Sequence, residues 1–318
     1  MRRVLSLFIL LCFGISHAHP PERSYDILFS KVEFLNVHTV RIPLKTYGQL
    51  LVIEGQLLGK KGNFIIDTGS ETLLLNSVHY TANPRSKQDN AYGVLGSVDN
   101  PLQRTLDQFN VEGLVMKNKS SDVIDLSHIE KSKKMRVLGI IGFNVLKDYE
   151  IFIDLYLNQI TLSKTDDNGD RLDQREFLET IEHVVPFKLY HHSIILYPKI
   201  EDKSFKFALD SGSEFNQISK RVVRKFPKAF KPERRIFLSG ASGKKAEVLV
   251  GKHYGMRLDS IQLDGMQTMM TSLAYAYEAF GTPIDGVLGY EFFNQNRTII
   301  NYTKQKLYIV KQAESRDL

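Results

Sequence analysis

The chain has 318 residues, of which 42% are hydrophobic and 25% charged, and a formal net charge of +6. That balance describes a globular protein, long enough for two domains, and excludes a long disordered chain. The basic residues are scattered apart from Lys131-Ser-Lys-Lys and Arg234-Arg235, which read as solvated loops, so nucleic acid is not expected as a partner. The single cysteine, Cys12, excludes an intrachain disulfide.

The N-terminus reads as a cleavable leader over 1–18. Arg2 and Arg3 precede an apolar run from Val4 to Ile15, and Ser16-His17-Ala18 supplies small residues at the first and third positions. The run is short for a membrane span of about 20 residues. Cleavage after Ala18 would export the protein to a periplasm or cell envelope, or secrete it. It would leave 40 basic against 36 acidic residues and no thiol.

From there the chain repeats itself. Ile42-Pro-Leu-Lys-Thr-Tyr47 resembles Val185-Pro-Phe-Lys-Leu-Tyr190, an offset of 143 residues. At the same offset, Phe64-Ile-Ile-Asp67-Thr-Gly-Ser-Glu71 lies over Phe207-Ala-Leu-Asp210-Ser-Gly-Ser-Glu214. At offset 147, Gly139-Ile-Ile-Gly142-Phe-Asn-Val-Leu146 lies over Gly286-Val-Leu-Gly289-Tyr-Glu-Phe-Phe293. Two blocks in fixed order, twice, imply two homologous lobes, expected over 19–165 and 184–318.

Short apolar or alternating runs place strands at 50–53, 63–66, 151–155 and 159–162, then at 193–196, 205–209, 297–301 and 306–310. Hairpin turns are expected at 156–159 and 303–306. Short helices are expected at 143–147, 172–181, 220–226 and 290–295. Between the lobes, 166–183 reads as a linker. Its acidic start, Asp166-Asp-Asn-Gly-Asp-Arg-Leu-Asp173, has Arg171 and Phe177 where a calcium loop needs glycine and glutamate, so a solvated segment is expected and no metal. Met266, Met269 and Met270 read as core or edge strand rather than pocket lining.

Asp67 and Asp210 each end an apolar strand. An isolated buried carboxylate is costly, and the economical partner for each is its own copy. If a pseudo-twofold axis relates the lobes, the two carboxyls meet at it and share one proton. Such a pair activates a water with its charged member and protonates an amide carbonyl with its neutral one. Gly69 and Gly212 let backbone approach the carboxylates. Thr68 and Ser211 are placed to bond across the axis, and Ser70 and Ser213 to donate to the outer carboxylate oxygens.

Asp67-Thr-Gly-Ser and Asp210-Ser-Gly-Ser resemble the two active-site motifs of aspartic proteases, in particular the retropepsin-like branch and its secreted bacterial members. The segments ending in Gly142 and Gly289 resemble the apolar-apolar-Gly element that braces the active-site loop. The likeness extends over 42–163 and 185–310. It implies an all-β, bilobal acid-protease fold, with two retropepsin-like β-barrel lobes about a pseudo-twofold axis and few short helices. It implies a glycine-containing flap over the cleft, for which Gly96 and Gly240 are the candidates, with Tyr92 near the first. It implies an aspartic endopeptidase acting on peptide or protein substrates through Asp67 and Asp210, with no cofactor and no metal, and complete as a monomer because one chain carries both motifs. The alternative is a non-catalytic peptide-binding or scaffold protein that keeps the fold. Glycoside hydrolysis by a carboxylate pair is disfavoured, since those pairs stand about 5–10 Å apart and need not be internal copies.

Overall fold

The computed structural model describes residues 31–81, 91–93, 96–98, 102–111, 114–175, 179–239, 245–273 and 276–312, together with the short strands Leu5–Ser6 and Leu11–Cys12. The rest of the expected leader lies outside the described residues, as do Gly240 and the hairpin tip at 94–95. The described chain is mostly β, with a few short helices.

Three large sheets carry the architecture. The first is built from residues of the first half, in the order Leu102–Val111, Leu114–Ile124, Leu73–Asn76, Val137–Ile141, Lys60–Ile66, Leu50–Leu57, Lys45–Tyr47. Leu50, Leu51, Val52 and Ile53 are fully buried, so this strand is apolar on both faces, as its unbroken run of apolar residues requires. A tight turn joins it to Lys60–Ile66, and Leu58 and Gly59 both take positive φ (50° and 76°). Two left-handed residues are what a right-twisted hairpin needs in its turn.

The second sheet repeats this arrangement with residues of the second half. It runs Lys188–Tyr190, Ser193–Leu196, Phe207–Leu209, Gly286–Leu288, Asn216–Ser219, Gln267–Thr271, Lys245–His253, Phe230–Ser239, with Leu11–Cys12 at its edge. Strand bounds recur at the sequence offset: Lys45–Tyr47 against Lys188–Tyr190, and Leu73–Asn76 against Asn216–Ser219.

The third sheet joins the halves. Its order is Ile181–Pro186, Lys306–Val310, Arg297–Asn301, Tyr149–Asp154, Gln159–Lys164, Thr39–Pro43, Glu33–Phe34. Tyr149–Asp154 runs antiparallel to Arg297–Asn301, and Phe152 stands opposite Ile299, 147 positions further on. On either side the partners exchange, Ile151 facing Ile300 and Ile153 facing Thr298, which places a local twofold axis at the Phe152–Ile299 pair. Asn158 and Gln305 close the two corresponding hairpins, both with φ near 50°. The buried charge here is matched: Arg297 bonds Asp154 at 2.8 Å and also Glu179.

Among the described residues of the expected helix at 172–181 none is helical: the chain is irregular at 172–175 and becomes a strand at Ile181, and 176–178 lie outside the described residues. Asp173, expected in solvent, is buried. It accepts bonds from the Thr39 hydroxyl at 2.7 Å and from the Arg175 guanidinium, which together hold its carboxyl far below the usual carboxylate range. Short polar side chains that capture nearby donors compete with helix formation. Helices do form at Phe143–Leu146, Lys220–Lys225 and Tyr290–Gln295. Ser219 caps the second of these, accepting from the Val222 amide. Helices Ser127–Lys133 and Ala276–Phe280 were not expected. Met266 and Met269 are buried in the core and Met270 packs against it.

Candidate active site

Parallel pairing delivers the two aspartates to one point. Lys60–Ile66 runs beside Val137–Ile141, and Phe207–Leu209 beside Gly286–Leu288. The last rung of each ladder is the aspartate's own amide: Asp67 donates to the Ile141 carbonyl at 3.0 Å and Asp210 to that of Leu288 at 2.9 Å. The chain then turns, and Gly142 and Gly289 sit under the turns. A β-carbon on Gly142 would strike the Ser70 and Thr72 carbonyls, and one on Gly289 those of Ser213 and Phe215. Phe143 and Tyr290 follow and donate their amides to the Ser70 and Ser213 carbonyls at 2.8 and 2.9 Å. Both apolar-apolar-Gly segments are thus packed directly beneath the loops.

The two loops lock to each other through hydroxyls. Thr68 Oγ1 donates to the Leu209 carbonyl at 3.1 Å and accepts from the Ser211 amide at 3.0 Å. Ser211 Oγ donates to the Ile66 carbonyl at 2.8 Å and accepts from the Thr68 amide at 3.1 Å. A hydroxyl both donates and accepts, which explains why threonine and serine fill equivalent positions.

The glycines bring each loop against the opposite carboxyl. A β-carbon on Gly69 would overlap Asp210, and one on Gly212 would overlap Asp67. Both aspartates are fully buried. Asp67 Oδ1 accepts from the amides of Gly69 and Ser70, at 2.8 and 3.0 Å, and Asp210 Oδ1 accepts from Gly212 at 2.9 Å. The second oxygen of each takes no bond from the rest of the described protein; the carboxyls hydrogen-bond each other. Burial lifts both above the usual carboxylate range. For Asp210 the nearby Asp67 charge lifts it further, while Asp67 is eased down by its bond to Asp210; two amides ease each of them, Gly69 and Ser70 for Asp67 and Gly212 and Gly69 for Asp210. Two buried carboxyls this close hold one proton between them.

The serine hydroxyls do not reach the carboxyls, contrary to the sequence expectation. Ser70 Oγ donates to the Thr72 carbonyl at 3.1 Å and Ser213 Oγ to that of Phe215 at 2.9 Å. A serine hydroxyl readily closes such a local turn onto backbone two residues away. The donor that reaches Asp67 is the Ser70 amide instead. Of the flap candidates, Gly96 begins the strand Gly96–Val98, paired with Ala91–Gly93, the strand holding Tyr92. Gly240 follows Phe230–Ser239 and lies outside the described residues.

Three features escaped the sequence reading. His192, 2% exposed, places Nε2 at 3.2 Å from the Gly69 carbonyl. Lys133, at the end of Ser127–Lys133, crosses from the first half to pair with Glu214 at 2.6 Å, with both side chains nearly buried. Tyr302 has a buried hydroxyl without a partner among the described residues; burial and then the negative charge of Asp67 and Asp210 push its phenol up strongly. Glu214 was visible in the repeated Ser-Gly-Ser-Glu. His192 was visible only as a break in the repeat, since Gln49 holds the equivalent position. A separate cavity of about 410 Å³ lies on the joining sheet, against Thr39, Phe152 and Ile299, and contains neither aspartate.

A family model described as aspartyl protease matches residues 197–292, which include Asp210 and Gly289. A search of curated proteins finds no match. Among solved structures, the chain is similar to the aspartic proteinase from Irpex lacteus, with a TM-score of 0.50 and 11% identity over 88% of this chain and 99% of that one. The sheets, the paired loops and these likenesses together show that the chain has an aspartic-protease-like fold.

Proposed function

We propose that the chain is an aspartic-type endopeptidase in which Asp67 and Asp210 hydrolyse peptide bonds with one water. The observation that carries this is a pair of fully buried carboxyls that bond each other and are gripped by two interlocked loops. Asp67 is the charged member: its Oδ1 accepts from the Gly69 and Ser70 amides at 2.8 and 3.0 Å, while Asp210 is lifted the higher of the two by burial and by the Asp67 charge, against the Gly212 and Gly69 amides that draw it down. Asp210 carries the proton.

The chemistry follows from that charge state. Asp67 takes a proton from the bound water as its oxygen attacks the carbonyl carbon, and Asp210 gives its proton to the carbonyl oxygen. The product is a neutral tetrahedral diol. Asp67 then passes its proton to the amide nitrogen, the C–N bond breaks, and a diol hydroxyl returns a proton to Asp210. The dyad ends as it began and no bond to the enzyme forms. Both aspartates come from one chain, so a monomer holds the whole site. The export reading rests on the N-terminal sequence alone, and predicts a mature protein beginning at His19.

The test incubates the purified protein with an unfolded protein substrate at mildly acidic pH and identifies new amino termini by mass spectrometry. New internal termini, each with its matching new carboxyl terminus, are the expected result. Saturable binding of the substrate without cleavage would replace this reading with that of a binding scaffold.

A further inference from the structure

The two catalytic loops are built alike but are not bonded alike. Both serine amides turn back to the main-chain carbonyl of their aspartate, Ser70 to Asp67 at 3.4 Å and Ser213 to Asp210 at 3.2 Å, but among the described residues only the Ser70 amide also reaches the carboxyl, Asp67 Oδ1, at 3.0 Å. One peptide unit makes that difference. The Gly69 carbonyl and the Ser70 amide belong to the same peptide and point in opposite directions. The Ser70 end meets Asp67. The Gly69 end meets His192 Nε2, from the other half of the chain.

A carbonyl only accepts, so His192 must donate its Nε2–H there. Its Nδ1 is buried and has no partner among the described residues. A proton on Nδ1 would therefore sit in a buried place with no acceptor, and the ring is held in the neutral Nε2–H form. Burial agrees, drawing the imidazole down to about 4 against the opposing pull of the Gly69 bond, with neighbouring His191 adding to the lowering. Donating to one end of a peptide polarises the other end as a donor. The titratable groups around His192 are His191 on its own segment, and Asp67 and Asp210 on the loops against it.

We infer that His192 is a positioning residue: it clamps the Gly69–Ser70 peptide so that the Ser70 amide stays on Asp67, which makes Asp67 rather than Asp210 the charged member of the pair. The equivalent position in the first half is Gln49. The inference deepens the proposed function and rests on it. A protease with a working dyad but no role for His192 remains distinguishable from a protein with no working dyad.

The test compares His192→Gln with His192→Met, which match in length and shape and differ in the N–H donor. Wild type and Asp67→Asn serve as controls for the dyad itself. The expected result is that the glutamine variant keeps kcat within about threefold of wild type, while the methionine variant loses about tenfold with KM little changed. The acid limb of its kcat profile moves upward by about half to one unit, because Asp67 has lost part of its stabilisation as a charged group. Methionine and glutamine variants that match in kcat and in acid limb, beside an inactive Asp67→Asn, would overturn the inference and leave the dyad standing. Where the methionine variant does not fold, ¹⁵N NMR of the wild-type imidazole decides. A neutral Nε2–H tautomer across the active pH range supports the clamp; an Nδ1–H tautomer or a charged ring there overturns it.

Discussion

A carboxyl buried without an opposing cation prefers its proton, and here two such groups meet. The pair should titrate in two macroscopic steps, and the proposed hydrolysis requires the state with one proton. Activity is therefore lost as pH falls through the lower step, when Asp67 is neutralised, and as pH rises through the upper step, when Asp210 is ionised. Burial raises both groups, and the Asp67 charge raises Asp210 again, so the optimum is expected to be weakly acidic to near neutral. The serine hydroxyls bond main-chain carbonyls rather than carboxyls, so Ser70→Ala/Ser213→Ala should leave both limbs within about 0.3 unit of wild type. A pH–rate profile on one peptide checks both statements. At this scale the sequence disclosed the aspartates, the glycines and the cross-axis hydroxyls, because the repeat marks them twice. It did not disclose where Ser70 Oγ points, since a hydroxyl beside a turn has several acceptors and only the backbone path selects one.

The loops are held by elements whose tolerances are narrow. Thr68 makes two bonds across the axis, and its removal leaves the Leu209 carbonyl and the Ser211 amide buried without partners. Thr68→Val should destabilise the protein by about 2–6 kcal/mol, at about 1–3 kcal/mol for each orphaned group. Thr68→Ser, which restores the hydroxyl, should cost about 1 kcal/mol or less. Urea unfolding of the three proteins measures this directly. Gly142→Ala drives a methyl into two main-chain carbonyls that cannot withdraw, so it should lower activity more than the threonine variants do. Among elements, the strands with strong apolar runs were legible, and so were the helices after Gly142 and Gly289. The helix Ser127–Lys133 was not: Leu126 precedes it without a side-chain cap, so no start signal marks it. The segment at 172–175 failed as a helix because Asp173 found Thr39, a partner 134 residues away that local pattern cannot reveal.

Across the whole molecule, acid pH sets two groups of buried residues against each other. His192 and His253 are both buried and both drawn down to about 4, chiefly by burial. His253 bonds Thr268 through Nδ1 at 2.6 Å, and the Leu263 main chain eases its burial only in part. A histidine whose folded value lies below its unfolded one stabilises above the unfolded value, near 6.5, and loses that contribution as pH falls through about 4. Each shift corresponds to roughly 3 kcal/mol at 1.36 kcal/mol per unit, a large part of a typical stability of about 5–15 kcal/mol. The dyad acts oppositely: its raised carboxyls hold protons in the folded state that the unfolded chain has released, so falling pH relieves their burial cost. His253→Gln, which keeps a donor for Thr268, should flatten the loss of stability between pH 6.5 and 4, read from urea midpoints across that range. An unchanged pH dependence would mean that His253 is not held neutral by burial.

The bilobal arrangement was legible because the repeat spans most of the chain, and its 147-residue offset reappears in the pairing of Phe152 with Ile299. The asymmetry between the halves was not legible, since His192 and Lys133 act across the lobes at positions where the repeat fails. The account stands on one claim, that Asp67 and Asp210 together hydrolyse peptide bonds. The most direct measurement is the hydrolysis rate of a single peptide by wild type, Asp67→Asn and Asp210→Asn, with folding of each checked by its urea transition. Asparagine keeps the shape of aspartate but can neither take nor share the proton. The account predicts that each single variant folds and loses at least about a thousandfold in kcat; a folded variant of either kind that retains most of the wild-type rate would contradict it.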